Sequence, residues 1–202
     1  MLAEARRRRF RKNEVIFHEG DSGDSLHVIA KGHVAIRATT PLGDVATFTV
    51  YGPGQAFGEQ ALLGEQVVRT ASAVALEATE TQSITRTQFD DLRAAHPTVD
   101  RFLVHLLADQ VRRLSAHLTE ALYVPVEVRL VRRLLSLAEQ YPSPDGGPIV
   151  IPLTQDDIAT MAGTTRPTAN RALKVVEDEG VIAIGRGRIE LLDLEALARR
   201  GR

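Results

Sequence analysis

The chain has 202 residues, enough for one large domain or two small ones, each with its own core. Its 44% hydrophobic and 25% charged residues are the balance of a folded chain, and the absence of cysteine excludes disulfides, iron–sulfur clusters and thiolate zinc sites. The net charge of −1 leaves room for a local basic patch but not for a globally basic nucleic-acid binder, and no apolar run approaches the roughly 20 residues of a membrane helix, so a cytoplasmic protein is expected.

The chain opens on a basic run, Arg6 to Arg9. No apolar segment follows it, so it reads as a solvated terminus rather than a signal peptide or a nucleic-acid arm. Up to His96, apolar residues then come in short bursts: Val15 to Phe17, Leu26 to Ile29, Val34 to Ile36, Val45 to Val50 and Ala73 to Leu76. Gly20, Gly23, Gly32, Gly43, Gly52 and Gly54 punctuate them. Short strands at a spacing of about 8–12 residues predict an all-β barrel or sandwich. Asp21 to Asp24 and Leu42 to Asp44 carry turn chemistry.

Within this region Gly58-Glu59 leads into a short stretch, Gln60 to Leu63. After a turn at Gly64 come Arg69 and Thr70. A helix N-terminus behind a glycine offers backbone N–H groups to an anion, and an arginine beside it pairs with phosphate. A carboxylate suits a sugar hydroxyl. These residues describe a pocket for a sugar phosphate, or else a salt bridge tying a loop to the barrel. Thr85 to Leu92 reads as a short helix capped by Thr85 or Thr87.

Beyond Pro97, which suits a first helical turn, the apolar period changes. Val104, Leu107, Val111, Leu114, Leu118 and Ala121 are spaced alternately by three and four, an a/d seam. Phe102, Leu103 and Leu106 form a second apolar face. One face is expected to pack on the β-domain and the other to pair with a twin helix. Val124-Pro125-Val126 interrupts the helix as a hinge. A second helix, Glu127 to Gln140, is expected next, then a loop from Tyr141 to Gly147 and a short strand, Ile149 to Ile151.

From Leu153 to Asp193 the order of signals is that of a helix-turn-helix with a wing. Thr154 caps a short helix, with Asp157 as its capping-box partner, and Ile158, Ala159 and Met161 form the buried side. Gly163 makes the turn. Thr164 or Thr165 caps the next helix, with Pro167 in its first turn. Ala169, Ala172, Leu173 and Val176 face inward, while Arg166, Thr168, Asn170, Arg171 and Lys174 face outward as a recognition surface for base edges and phosphates. Gly180 ends that helix. Val181 to Ile184 and Arg188 to Leu192 flank Gly185-Arg186-Gly187 as a terminal hairpin, placing Arg186 and Arg188 near phosphates.

"GDSGDSLHVIAKGHVAI" from Gly20, "FGEQALL…VRTASAVA" from Phe57 and "TRPTANRALKVVEDEGVI" from Thr165, in this order, resemble the Crp/Fnr family of bacterial transcription regulators. The resemblance runs from Phe10 to Asp193. It implies an α+β chain: a ligand-sensing β-roll (residues 1–96), a central dimerisation helix (97–124) and a winged helix-turn-helix (125–202). It implies that Glu59 binds a ribose hydroxyl, that Gly58, Arg69 and Thr70 hold the phosphate of cyclic AMP or another cyclic nucleotide, and that Ser115 reaches the base in the other subunit. Arg166 and Arg171 would read guanines and backbone in the major groove, and Thr154 and Thr165 would contact phosphates. The partners implied are a second copy of the chain, a roughly palindromic double-stranded operator and RNA polymerase.

Three positions depart from the family's pattern. Leu114 replaces a helix threonine that contacts adenine, which weakens the expected preference for adenine over guanine. Val68 replaces a proline, and Pro167 replaces a glutamate that reads cytosine. Six histidines leave a haem-binding relative conceivable, but lone histidines of this kind are ordinarily structural, and no metal is expected. No nucleophile–base pair, metal cluster or Walker-type loop points to an enzyme. A regulator gated by a cyclic nucleotide is the main reading, and a constitutive regulator of the same fold is the alternative.

Overall fold

The structure, a computed structural model, describes residues 5–40, 43–63, 68–96, 98–143 and 147–202. It divides into two compact units, Met1–Ser115 and Ala116–Arg202. The expected turns at Leu42 and Gly64, the helical start at Pro97 and the centre of the Tyr141 to Gly147 loop lie wholly or partly outside the described residues.

Among the described residues of the first unit, eight strands form two antiparallel sheets. One has the order β1 (Arg6–Phe10), β8 (Thr79–Thr85), β3 (Ser25–Lys31), β6 (Ala56–Phe57). The other has the order β2 (Val15–Phe17), β7 (Ser72–Ala75), β4 (Val34–Thr39), β5 (Val45–Tyr51). Ile29, Val34, Tyr51, Phe57 and Ala73 form one apolar cluster. On a second cluster, Leu26, Ala56, Leu62 and Ile84 pack against Phe89 of α1 (Arg86–Ala95) and against Val99 and Leu103 of α2 (Thr98–Tyr123). Thr85 caps α1 with a full capping box to Gln88.

Three strands, β1, β6 and β8, lie outside the expected apolar bursts, and β1 and β8 are largely polar. The arginine run is not a solvated terminus: it is the edge strand β1, with Arg7 and Arg9 paired to Glu80 and Arg8 over the Phe10 ring. An edge strand leaves one edge open to solvent, so charged residues suit it. In β8 the buried alternating positions are Thr79, Thr81 and Ser83, polar side chains that hydropathy alone does not flag.

Thr81 Oγ1 lies 3.1 Å from His27 Nδ1, and the His27 ring stacks on Phe57 with centroids 5.2 Å apart. Burial, then the charges of Arg69 and Arg8, hold the His27 pKa at about 4 against 6.5 for an exposed imidazole. Above pH 6.5 the ring is neutral in both the folded and unfolded chain and costs nothing. Between pH 6.5 and 4 only the unfolded chain takes the proton, so stability falls with pH, by about 3 kcal/mol over that window. Glu59, whose pKa is raised, acts in the opposite sense. The difference between wild type and His27→Phe therefore isolates the effect: chemical denaturation at pH 7 and pH 4.5 should show a smaller acid loss in the variant.

Helix α2 carries two stripes. Val99 and Leu103 are buried, and Leu106 and Leu107 are partly buried against the same cluster. Val104, Val111, Leu114, Leu118 and Leu122 are exposed. The expected seam is thus corrected at two positions: Leu107 turns to the β-roll, and Leu122 joins the exposed stripe. Phe102, placed on the second face with Leu103 and Leu106, is exposed.

In the second unit the helical break falls at Val124-Pro125 as expected, with α3 at Val126–Ala138. The Glu120 carboxylate accepts from Arg132, at 3.1 Å, and from Arg133, while Arg129 Nη1 donates to the Ala121 carbonyl at 3.0 Å. The break is a braced elbow. Leu130, Val131, Leu134 and Leu137 of α3 are buried, as are the core residues of α4 (Gln155–Met161), α5 (Arg166–Asp178) and a sheet of order β10 (Ile182–Gly185), β11 (Arg188–Leu191), β9 (Ile149–Ile151). The chain does not end on the hairpin. A further helix, α6 (Leu194–Arg200), follows, capped by Asp193, and buries Leu197.

Candidate functional site

The second unit presents a helix, a turn and a helix followed by a hairpin. Thr154 closes a capping box with Asp157, its hydroxyl donating to the carboxylate at 2.7 Å and accepting the Asp157 N–H at 3.1 Å. The buried side of α4 is Ile158 and Ala159, joined by Ala162 at its C-cap; Met161 is only half-buried. Gly163 takes φ +61°, a left-handed conformation that lets the chain turn sharply into α5. Thr165 is the N-cap of α5 and its hydroxyl meets that of Thr168 at 3.1 Å. Pro167 sits in the first turn, where the missing N–H costs nothing.

Ala169, Leu173 and Val176 are the buried face of α5, and Ala172 is half-buried. Arg166 and Arg171 are exposed, with Asn170 between them and half-buried. Asn170 Oδ1 has no hydrogen-bond partner. A groove of about 440 Å³ runs along this side, lined by Gln155, Asn170, Arg171, Lys174 and Ile184 among others. Lys174 is not an isolated cation. Its ammonium meets Glu177 at 2.9 Å and Asp178 at 3.1 Å, which raises its pKa. Glu177 also accepts the Ile184 N–H at 2.8 Å and so ties α5 to the hairpin. At the hairpin tip Arg186 is exposed, while Arg188 pairs with Glu190 at 2.9 Å.

The first unit holds a second cluster. Gly58 has φ +80° and precedes a short 3-10 helix, Glu59–Leu62. Arg69 is buried at 6% exposure, its guanidinium 4.0 Å above the Phe17 ring. It donates to the Gly58 carbonyl at 3.1 Å and to the Ser25 carbonyl at 2.9 Å, and burial lowers its pKa. Its Nε is buried without a partner. A Cβ at Gly58 would stand 2.7 Å from Arg69 Nη1, and its φ of +80° is one that other residues rarely adopt, so glycine suits this approach. Thr70 is exposed and donates to Gln60 at 3.0 Å.

Glu59 is buried at 5% exposure, and burial raises its pKa. Its own backbone N–H, the charges of Arg113 and Arg69, and the Gln110 carboxamide act against that rise. Arg113 donates to the Tyr51 hydroxyl at 3.2 Å. The structure thus brings Gly58, Glu59 and Arg69 together as expected, with Thr70 beside them on Gln60. Ser115 is exposed. Gln110, Arg113, Tyr51 and Ser25 were not anticipated. A signal existed for two of them: Val99, Leu103, Leu106, Gln110 and Arg113 continue one three-and-four spacing, whose last members are polar.

The unpaired Arg69 Nε bears on what the first cluster suits. An unpaired buried N–H on a cation, beside an open glycine backbone and opposite a desolvated carboxylate, fits an anion that also carries a hydroxyl. Among the described residues no group of three or more His, Asp or Glu is placed to hold a metal, and no helix is long and apolar enough to cross a membrane.

Comparison with known proteins agrees with both units. Residues 7–96 match the cyclic nucleotide-binding domain, and residues 128–200 match the Crp-like helix-turn-helix domain. The chain is 31% identical over 195 residues to a CRP-like cAMP-activated global transcriptional regulator of Mycobacterium tuberculosis, covering 96% of this chain and 87% of that one. It is 33% identical to the cyclic AMP receptor protein of Thermus thermophilus, over 97% of this chain and 88% of that one. Its fold is similar to that of a solved CRP-family transcriptional regulator, also from Thermus thermophilus, with a TM-score of 0.83, 28% identity and 96% of each chain covered.

Proposed function

The chain belongs to the Crp/Fnr family of transcription regulators, and from that membership we propose that a cyclic nucleotide held at Gly58, Glu59, Arg69 and Thr70 controls how its recognition helix reads DNA. It is a DNA-binding regulator with a cyclic nucleotide-binding domain, not an enzyme. The observation that carries the proposal is the buried Arg69 with its unpaired Nε beside Gly58. The cyclic phosphate has one negative charge and needs a cation and N–H donors, and Glu59 accepts the ribose hydroxyl. The cAMP-activated relatives support the same ligand class.

The exposed stripe of α2 pairs two copies, so the regulator reads a roughly palindromic site. Residues 1–96 sense, 97–124 dimerise and 125–202 read DNA in the cytoplasm, with contact to RNA polymerase. In each copy Arg166, Thr168, Asn170 and Arg171 enter the major groove. Thr154, Thr165 and Arg186 contact phosphates. Lys174 and Arg188 reach phosphates by exchanging Glu177, Asp178 and Glu190 for them. Ser115 serves the ligand of the other copy.

The gel-shift consequence is specific. Arg171→Ala should cost about 1–3 kcal/mol at the specific operator and relax the base preference there. Arg186→Ala should weaken binding to all sequences alike and lower the salt slope by about 1 per wing. Unchanged specific affinity in Arg171→Ala would remove α5 as the reading element.

One observation favours a second reading, a constitutive regulator. In the free chain Arg69 and Glu59 already have protein partners. Calorimetric titration with cyclic AMP and cyclic GMP separates the two readings: heat and a change in DNA affinity support the first, neither supports the second.

A further inference from the structure

We propose that Phe17 is a positioning residue for the effector: its ring fixes the plane of the Arg69 guanidinium, so ligand affinity depends on an aromatic face at position 17. This rests on the cyclic-nucleotide reading above and deepens it from the phosphate arginine to the side chain that aims it.

The starting point is how much of Arg69 is already committed. Its backbone N–H donates to the Asp21 carbonyl and its carbonyl accepts the Gly20 N–H, both at 2.8 Å, which anchors the residue to the turn between β2 and β3. At the far end Nη1 donates to the Gly58 carbonyl at 3.1 Å and Nη2 to the Ser25 carbonyl at 2.9 Å. These two bonds resist rotation of the guanidinium within its own plane. They resist tilting out of that plane only weakly, because a carbonyl oxygen accepts over a broad range of directions.

Phe17 supplies the missing constraint. Its ring centroid lies 4.0 Å from Arg69 Cζ, a face-on contact with the cation. A guanidinium is planar and weakly hydrated, so it stacks on a ring, and the ring's negative face attracts it more strongly where both are out of water. Arg69 is buried. The ring is itself held. It packs against Phe57 at 5.9 Å and His27 at 6.1 Å, and these two stack on each other at 5.2 Å. His27 is in turn fixed by Thr81 at 3.1 Å. A Cβ at Gly58 would stand 3.5 Å from Phe17 Cε1 as well as against Arg69, so the ring, the arginine and the glycine backbone form one packed group.

The consequence for binding lies in the donor left over. With one face on the ring and Nη1 and Nη2 on carbonyls, the buried Nε–H has no partner and points in a set direction. An arriving phosphate oxygen meets a donor that needs no further ordering, and binding is stronger by the entropy already lost in folding. An aliphatic side chain at position 17 fills the space but does not attract the guanidinium, which then tilts and carries Nε with it. Aromaticity, not volume, is therefore what the position requires.

The test pairs calorimetric titration of the full chain with cyclic AMP and hydrogen exchange of the Arg69 Nε–H, followed by NMR in the free protein and assigned by its loss in Arg69→Lys. Phe17→Leu and Phe17→Met, the second close to phenylalanine in length, should each weaken cyclic AMP by about tenfold. Phe17→Tyr should stay within about threefold of wild type. The Nε–H should exchange with water faster in the leucine and methionine variants and at the wild-type rate in the tyrosine variant. Should one aliphatic variant not fold, the other carries the same expectation. Unchanged affinity in an aliphatic variant overturns the proposal. So does weakened affinity with unchanged Nε–H exchange, which would mean that Phe17 packs on the ligand itself. A wild type that binds no cyclic nucleotide is a distinct result and overturns the reading on which the proposal rests.

Discussion

Replacing Arg69 by leucine is expected to abolish the response to ligand while leaving a protein that still binds DNA. The guanidinium is desolvated, so its pairing with a phosphate is worth far more than a surface contact, and its loss should cost about 2–5 kcal/mol of binding. Linkage makes the second half of the prediction obligatory. Whatever binding free energy the ligand loses toward the DNA-competent state, it can no longer contribute to DNA affinity. Arg69 also holds the carbonyls of Gly58 and Ser25, so Arg69→Lys, which keeps a charge and donors, serves as the control for folding. Calorimetry measures the first quantity and fluorescence anisotropy on operator DNA the second. A leucine variant whose DNA affinity still rises normally with cyclic nucleotide would refute the phosphate role.

The double substitution Val111→Asp with Leu118→Asp is expected to give monomers. Both residues are exposed in the single chain, at 62% and 61%, so the change costs the isolated fold little. In a two-fold dimer each substitution occurs twice and places four carboxylates in an apolar seam, with no cation on the stripe to receive them. An unpaired buried charge costs several kcal/mol even after relaxation, so the pairing free energy is overwhelmed. Light scattering should report the mass of one chain, and binding to a palindromic operator should fall to that of a single half-site. A double variant that elutes and scatters as a dimer would place the dimer contact elsewhere.

The DNA-reading unit was the most legible part of the chain, because its signals are local. The Thr154–Asp157 capping box, the turn at Gly163 and the Pro167 start each depend on a few adjacent residues, and all occur as read. The α6 helix escaped notice because it is short and follows a hairpin that looked terminal. Strand β8 escaped because its buried positions are hydroxyls whose partners, such as His27 for Thr81, lie far away in sequence. Strand β1 escaped because arginines at an edge look like a solvated tail.

Composition, turn residues and helical spacing by themselves determined that this chain is a β-domain, a long two-faced helix and a winged helix-turn-helix. They also singled out Gly58, Glu59 and Arg69, because each of those features is written in neighbouring residues. Only the tertiary structure decided which face of α2 turns to the roll. A three-and-four spacing is satisfied equally by Leu107 in a dimer seam or against Leu26 and Ile84, and contact with a particular sheet breaks that tie. The same contact brings Gln110 and Arg113 to Glu59, about fifty residues earlier in the chain. No local pattern encodes that meeting, because it follows from how a helix seats on a folded sheet. The polar character of those two positions acquires its meaning only there, where burial makes an unpaired carbonyl costly.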